Sequence, residues 1–329
     1  MSQPQIVAKN LSKCFRQYKK ESGLGGSIKS LFRRRYFEIK AVDGITLSID
    51  EGERVGFIGP NGAGKTTTLK MFSGLLYPTS GALSVLGYQP IQRRKEFLKS
   101  YSLVMGQRSQ LWWDLPPMEG FILNKEIYEV GDDPFRKRVG ELSSLLGIED
   151  ILEVPMRKLS LGQRMKCELM AALIHQPKIL FLDEPTIGLD VVVQKRIRAF
   201  LKEYNLNSKV TVILTSHNMD DVQELCERIV VISRGKIIYD GSLGKLLQKY
   251  AQRKYLKMVF NQKVAKVDLE KYGHLVSYAD DGLSATLSVD RVQHTRIAAE
   301  ILGRLPVDDL DIAEADLKEI IARVFEGRR

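Results

Sequence analysis

The chain has 329 residues, enough for about two domains, and its 44% apolar content belongs to a packed protein and not a disordered one. Its formal charge of +10 points to an acidic partner, whether nucleic acid, an anionic membrane surface or a phosphate-rich ligand, without choosing among them. Three dispersed cysteines, Cys14, Cys167 and Cys226, exclude a disulfide framework and a cysteine metal site and fit a reducing compartment, and no run of about 18 apolar residues offers a membrane-spanning helix.

The opening MSQPQIVAKN lacks the apolar core of a secretory leader. Short β-branched runs at 5–9, 42–49, 53–58, 101–105, 178–182, 210–215 and 228–233 read as strands, with helical periodicity between several of them, as at 65–74 and 190–204. This alternation predicts an α/β domain over residues 1–240 with a mostly parallel central sheet. The near-continuous apolar runs at 178–182 and 210–215 suit strands covered on both faces. Between the first two strands lies a basic insert running from Arg16 to Tyr36. If 27–37 are helical, Ile28, Leu31, Phe32 and Tyr36 share one face while Lys29, Arg33 and Arg34 fall elsewhere, the composition of a helix at a membrane surface. A solvated basic loop is the other reading. Residues 106–160 carry Pro116-Pro117, then helical spacing and no convincing strand, which predicts a helical subdomain inserted into the sheet. Beyond Asp240-Gly241, strand-like pieces at 255–260, 275–279 and 284–289 precede helices near 294–304 and 315–326. These predict a small α+β C-terminal domain over 241–329.

The strand at 53–58 runs into Gly59-Pro60-Asn61-Gly62-Ala63-Gly64-Lys65-Thr66-Thr67 and then a helix, the spacing and context of a phosphate-binding loop. Its glycines let backbone N–H groups turn inward around a phosphate, and the helix N-terminus adds its positive end. Lys65 would place a charge between the outer phosphates, and the Thr66 hydroxyl would ligate Mg²⁺. The run 179–184 ends an apolar strand in Asp183-Glu184. Carboxylates there sit at the same sheet edge as the phosphate loop, where Asp183 can hold the Mg²⁺ shell and Glu184 can polarise an attacking water. His217 follows the apolar strand 210–215 to that edge, in reach of a terminal phosphate, whereas His175, His274 and His294 have no such setting.

With these residues in place, the chain resembles the nucleotide-binding subunits of ABC transporters over about residues 1–240. Leu159-Ser160-Leu161-Gly162-Gln163 looks like the family's LSGGQ signature, and Ile187-Gly188-Leu189-Asp190 matches the loop after the acidic pair. His217 matches the switch histidine, Gln107 the Q-loop glutamine and Phe15 the aromatic that stacks on adenine, a position core packing would also explain. The resemblance implies a P-loop NTPase fold of the ABC type, with ATP and Mg²⁺ as ligands. It implies two copies, or one copy and a close relative, each ATP lying between one phosphate loop and the other chain's Ser160, Gly162 and Gln163. Glu184 would be the catalytic base, His217 the γ-phosphate sensor, and Gln107 the link to Mg²⁺ and to a separate membrane-spanning permease. Leu161 departs from the pattern by replacing the signature's first glycine, which bears on turnover more than on ATP binding. The lone nucleotide domain, the Gly188-Leu189-Asp190 loop and the C-terminal extension resemble exporters of the second ABC class. The segment Leu111-Trp112-Trp113-Asp114-Leu115-Pro116 is either the groove for a permease helix or core of the helical subdomain. A peripheral location on the cytoplasmic face of the membrane follows, with a possible inner-leaflet contact and no nucleic-acid partner. An ABC-type ATPase acting on ribosomes or nucleic acid is the alternative function.

Overall fold

Apolar runs become buried strands where neighbouring chain can cover both of their faces, and the first half of this molecule is arranged around that requirement. The computed structural model describes residues 4–18, 36–106, 108–250, 253–314 and 320–321, so Gln107, residues 19–35 of the basic insert and most of the expected helix near 315–326 lie outside the described residues. The chain divides into two compact units, Met1–Asp240 and Gly241–Arg329.

In the first unit β1 (Ile6–Tyr18) pairs antiparallel with β2 (Tyr36–Ile49); β3 (Arg54–Ile58) and helix α1 (Lys65–Phe72) follow, and β4 (Ser80–Val85) returns to the other side of β1. Next come α2 (Lys95–Leu98), β5 (Tyr101–Met105), α3 (Pro117–Ile127), α4 (Asp132–Leu146), α5 (Leu161–Leu173) and β6 (Ile179–Asp183). The unit continues with α6 (Val191–Ser208), β7 (Thr211–Thr215), α7 (Met219–Leu225), β8 (Arg228–Ser233) and β9 (Lys236–Ser242). A six-stranded sheet has the order β5-β6-β7-β3-β8-β9, and the pairs β5/β6, β6/β7, β7/β3 and β3/β8 are parallel. Arg234 and Gly235 join β8 to β9, both at positive φ, as a two-residue primed hairpin requires.

Phe57 of β3, Phe72 of α1 and Phe181 of β6 are fully buried in one core with Ile6 and Ile45 of the antiparallel sheet. Their rings meet edge-on or tilted, Phe57 to Phe72 at 6.2 Å and Phe72 to Phe181 at 6.5 Å between centroids. Each such ring contributes about 1.5–3 kcal/mol by burial, so α1 is clamped between the two sheets and its first turn is fixed in place. Register sets the strand ends level: Phe57 lies opposite Thr215, and Thr215 opposite Asp183. The loops that leave β3, β6 and β7 therefore start side by side.

The second unit contains α8 (Leu243–Tyr250), β10 (Arg253–Phe260), α9 (Lys266–Glu270), β11 (His274–Tyr278), β12 (Ser284–Asp290), α10 (His294–Arg304) and β13 (Val307–Glu314). Its antiparallel sheet has the order β11-β12-β10-β13. Alternate residues Leu256, Met258 and Phe260 pack with Leu287 and with Ile297 and Ile301 of α10.

Three strands, β4, β9 and β13, go beyond the sequence expectation. In addition, β1 and β2 continue as a two-stranded ribbon in which Phe15 faces Ile39 and Tyr18 faces Tyr36. The helical reading of 27–37 therefore fails at its end, because Tyr36 and Phe37 belong to β2.

Candidate functional site

The loop between β3 and α1 can close only around glycine at two points. A Cβ on Gly59 would lie 2.3 Å from the Ile232 carbonyl oxygen, and one on Gly64, at φ 111, would lie 2.3 Å from that of Ala41. Pro60, Asn61 and Gly62 form the exposed rim; Ala63 and Gly64 are buried, and Thr66 and Thr67 are half-buried on the first turn of α1. Lys65 is only 6% exposed, and its Nζ donates to the Gly59 carbonyl at 2.6 Å and the Pro60 carbonyl at 3.2 Å. Burial holds its ammonium below the ordinary lysine range, while the Glu184 and Asp183 carboxylates push the other way. An arriving phosphate would add to that second effect.

Asp183 ends β6 beside this loop. Its Oδ1 accepts from Thr66 Oγ1 at 2.9 Å and from Thr215 Oγ1 at 2.5 Å. Glu184 follows at φ 54, a left-handed conformation, with its N–H donating to the Thr215 carbonyl at 2.9 Å. Its Oε1 lies 2.5 Å from His217 Nε2, and for the carboxylate to be the acceptor that nitrogen must carry the proton. The Gly106 N–H donates to the Asp183 carbonyl at 2.8 Å, which ties the end of β5, just before Gln107, to the same acids. Thr66, Lys70, Met105, Arg108, Asp183 and Glu184 line a cavity of 230 Å³. A roomier cavity of 890 Å³ at Glu141, Leu145, Phe200 and Tyr204 brings no comparable set of groups together.

A divalent cation is tested by these donors. Thr66 Oγ1 and Asp183 Oδ1 are hard oxygens within 2.9 Å of each other beside the phosphate loop. That donor set fits Mg²⁺, which takes one or two protein oxygens and completes its shell with phosphate oxygens and water.

Ser160 is the N-cap of α5 in a reciprocal capping box: Gln163 N–H donates to Ser160 Oγ at 3.2 Å, and Ser160 N–H to Gln163 Oε1 at 2.9 Å. Gly162 packs on α6, where a Cβ would meet Val193 at 3.0 Å. Leu161 is 45% exposed, and its Cδ2 would touch a Cβ on Gly188 at 3.3 Å. Residues 160–163 do not line the 230 Å³ cavity. Phe15 stands half-exposed on the ribbon with Lys13 Nζ 5.2 Å from its ring centre, so it is not core packing. In the segment 111–116, Leu111 is buried, with a methyl 2.4 Å from where a Cβ on Gly120 would lie, while Trp112 and Trp113 are exposed. Core packing therefore accounts for Leu111 and not for the two tryptophans.

Sequence reading passed over Asp221 and Arg198, which form a buried ion pair at 2.9 Å between α7 and α6. It also passed over Gln194, whose side chain donates to the Leu189 carbonyl at 2.9 Å and accepts from Asn218 at 2.9 Å. A charged residue within a helical run is the one signal that marked Asp221 and Arg198, and nothing marked Gln194.

Compared with known proteins, residues 42–187 match the family described as "ABC transporter", and residues 252–313 match "EvrA-like ABC transporter, C-terminal domain". The chain is 32% identical over 228 residues to the "ABC transporter ATP-binding protein NatA" of Bacillus subtilis (strain 168), covering 69% of this chain and 92% of that protein. It is 28% identical over 297 residues to the "Bacitracin transport ATP-binding protein BcrA" of Bacillus licheniformis, covering 89% of this chain and 95% of that one. Among solved structures, a dimeric ATP-binding cassette in a post-hydrolysis state bound to ADP and Pi is similar with a TM-score of 0.60 at 25% identity, covering 72% of this chain and 98% of the other.

Proposed function

Because the chain belongs to the ATP-binding subunits of ABC transporters, which hydrolyse ATP, dimerise and work with a membrane permease, we propose that it closes head to tail with a second copy, or a close relative, over two ATP molecules and so drives an exporter. The observation that carries this reading is the convergence of Lys65, Thr66, Asp183, Glu184 and His217 on the adjacent ends of three parallel strands.

In this reading the Gly59–Thr67 loop and Lys65 cradle the phosphates, and Phe15 stacks on the adenine. Thr66 and Asp183, with Gln107, hold Mg²⁺, which would neutralise charge developing on the phosphate oxygens. Glu184 accepts the proton of the attacking water, and His217, hydrogen-bonded to it, orients that carboxylate and senses the γ-phosphate. Ser160, Gly162 and Gln163 serve the partner's nucleotide. The separate permease docks at the exposed Trp112 and Trp113 and the neighbouring 400 Å³ groove bordered by Leu103, Gln110, Ile127 and Tyr128. No helix among the described residues is long and apolar enough to cross a membrane. Attachment through the permease puts the chain at the cytoplasmic membrane face, with the basic insert as a further contact to an anionic inner leaflet. An export direction is supported by the C-terminal extension and by the likeness to a bacitracin transport protein.

The test is Glu184→Gln, which keeps size and hydrogen bonding but removes the proton acceptor. Turnover should fall by about 100-fold or more while ATP still binds, so the variant should elute as an ATP-bound dimer from a sizing column. Lys65→Ala should instead weaken ATP binding itself in calorimetry. Wild-type turnover in the Glu184→Gln protein would remove Glu184 from the role, and a monomer in saturating ATP would remove the head-to-tail pair.

A further inference from the structure

Glu184 and His217 are held by loops and not by a packed core, since their side chains are 19% and 41% exposed. Their separation therefore depends on what fixes the backbone on either side. Both loops lead to one buried atom. Oδ2 of Asp221 accepts from Ser216 Oγ at 2.8 Å, and Ser216 immediately precedes His217. The same oxygen accepts from Thr186 Oγ1, two residues beyond Glu184.

Asp221 is itself immobilised. It is 1% exposed, and its other oxygen accepts from Arg198 Nη1 at 2.9 Å. Arg198 is further held by Glu224 through Nε at 2.9 Å and Nη2 at 3.2 Å. A buried carboxylate cannot leave such donors without standing uncompensated in the interior, so it makes a rigid anchor. A second link runs the same way: Asn218, directly after His217, donates to Gln194, which donates to the Leu189 and Thr186 carbonyls. The left-handed backbone of Glu184 is a conformation that surrounding contacts must impose.

We propose that Asp221 is a positioning residue for ATP hydrolysis, setting the distance between Glu184 and His217 by gripping Thr186 on one loop and Ser216 on the other. The inference rests on the reading that Glu184 is the base and His217 its partner. Asp221 touches no reacting atom; it acts through the two hydroxyls.

Asp221→Ala strands the buried Arg198 and tests folding more than positioning. Thr186→Val and Ser216→Ala, made in the full chain, each cut one of the two bonds to Asp221 Oδ2 and leave the Asp221–Arg198 pair intact; Ser216→Ala also removes the acceptor of the Asn218 N–H. Misplacing a catalytic group by a fraction of an ångström lowers kcat with little effect on substrate binding, so each variant should lose about tenfold in kcat with its ATP affinity by calorimetry within about twofold of wild type. Thr186→Ser, which returns the hydroxyl, should recover most of the loss. Wild-type kcat in both variants would overturn the proposal. So would a loss of ATP affinity in step with kcat, or no recovery in Thr186→Ser, since either marks a merely structural role. Glu184→Gln measured alongside separates the two levels. If it still turns over, the base assignment fails and takes this inference with it. If it is dead while Thr186→Val and Ser216→Ala turn over normally, only the positioning role of Asp221 fails.

Discussion

Acidification should destabilise this protein through one histidine that the fold keeps neutral. His175 sits just past α5, its ring stacked on Tyr128 with centroids 3.7 Å apart and planes 4° from parallel. Its Nε2 is 3.3 Å from the Tyr101 carbonyl oxygen and 3.3 Å from Ser102 Oγ, so this nitrogen carries the proton. Nδ1 is buried with no hydrogen-bond partner among the described residues, and a second proton there would have no acceptor. Burial pushes the pKa from 6.5 down to about 4; the Tyr101 carbonyl opposes this, and Arg138 reinforces it. The sign follows from which state takes the proton first. As pH falls, the unfolded chain protonates near 6.5 and the folded chain only near 4. The contribution is complete above 6.5, disappears progressively between 6.5 and about 4, and does not change further below that. Inside the window the slope approaches about 1.4 kcal/mol per pH unit, and the whole loss is about 3 kcal/mol. His175→Phe keeps the stack on Tyr128 and removes the titration. Urea unfolding of both proteins, followed by far-ultraviolet circular dichroism across this window, cancels the carboxylates they share. Wild type should lose about 3 kcal/mol more than the variant. Parallel losses would refute the account of His175 as a buried neutral base.

The two loop glycines should separate cleanly. In Gly64→Ala the new methyl meets the Ala41 carbonyl at a conformation alanine avoids, so stability should drop by more than about 1 kcal/mol and ATP affinity should fall markedly. Gly62→Ala meets nothing within 4 Å and carries only the cost of its positive φ, about 1 kcal/mol, which thermal unfolding and calorimetry with ATP would distinguish. Leu161→Gly should change steady-state ATPase activity by no more than about threefold, because the side chain is half-exposed at a helix start where glycine costs little. A loss beyond tenfold would mean that Leu161 props up the Gly188 loop.

Which elements the sequence revealed follows from how much of their burial is local. The strands at 101–105 and 228–233 and the helix at 294–304 were legible to the residue, since each carries its own apolar pattern. β4, Ser-Gly-Ala-Leu-Ser-Val, buries only Val85 fully and exists because β1 offers it a free edge. β13 alternates Val307, Leu310 and Ile312 with acids and reads as loop until β10 pairs with it. The ribbon of β1 and β2 needs both strands at once, so neither half announced it. The site divides in the same way. The phosphate loop and Asp183-Glu184 are contiguous, and their chemistry is visible in a short window. The clamp contacts that join Thr186, Arg198, Ser216 and Asp221 span two helices and two loops, and no short window contains them.

That clamp bears on how two copies would act together. Within one chain Thr66 bonds to Asp183 and His217 lies against Glu184, whereas the start of α5 satisfies its own backbone and presents Leu161 outward. Leu161 rests near Gly188, in the loop that Gln194 ties at Leu189 and that Thr186 ties to Asp221. Under the proposed head-to-tail arrangement, the signature turn of a chain faces one nucleotide and its Glu184 faces the other. A displacement of the signature turn would then bear on Glu184 through the loop that carries Gly188 and Thr186, which Asp221 anchors. Coupling between the two sites would need no long-range rearrangement, only a loop that is anchored at one end and touched at the other.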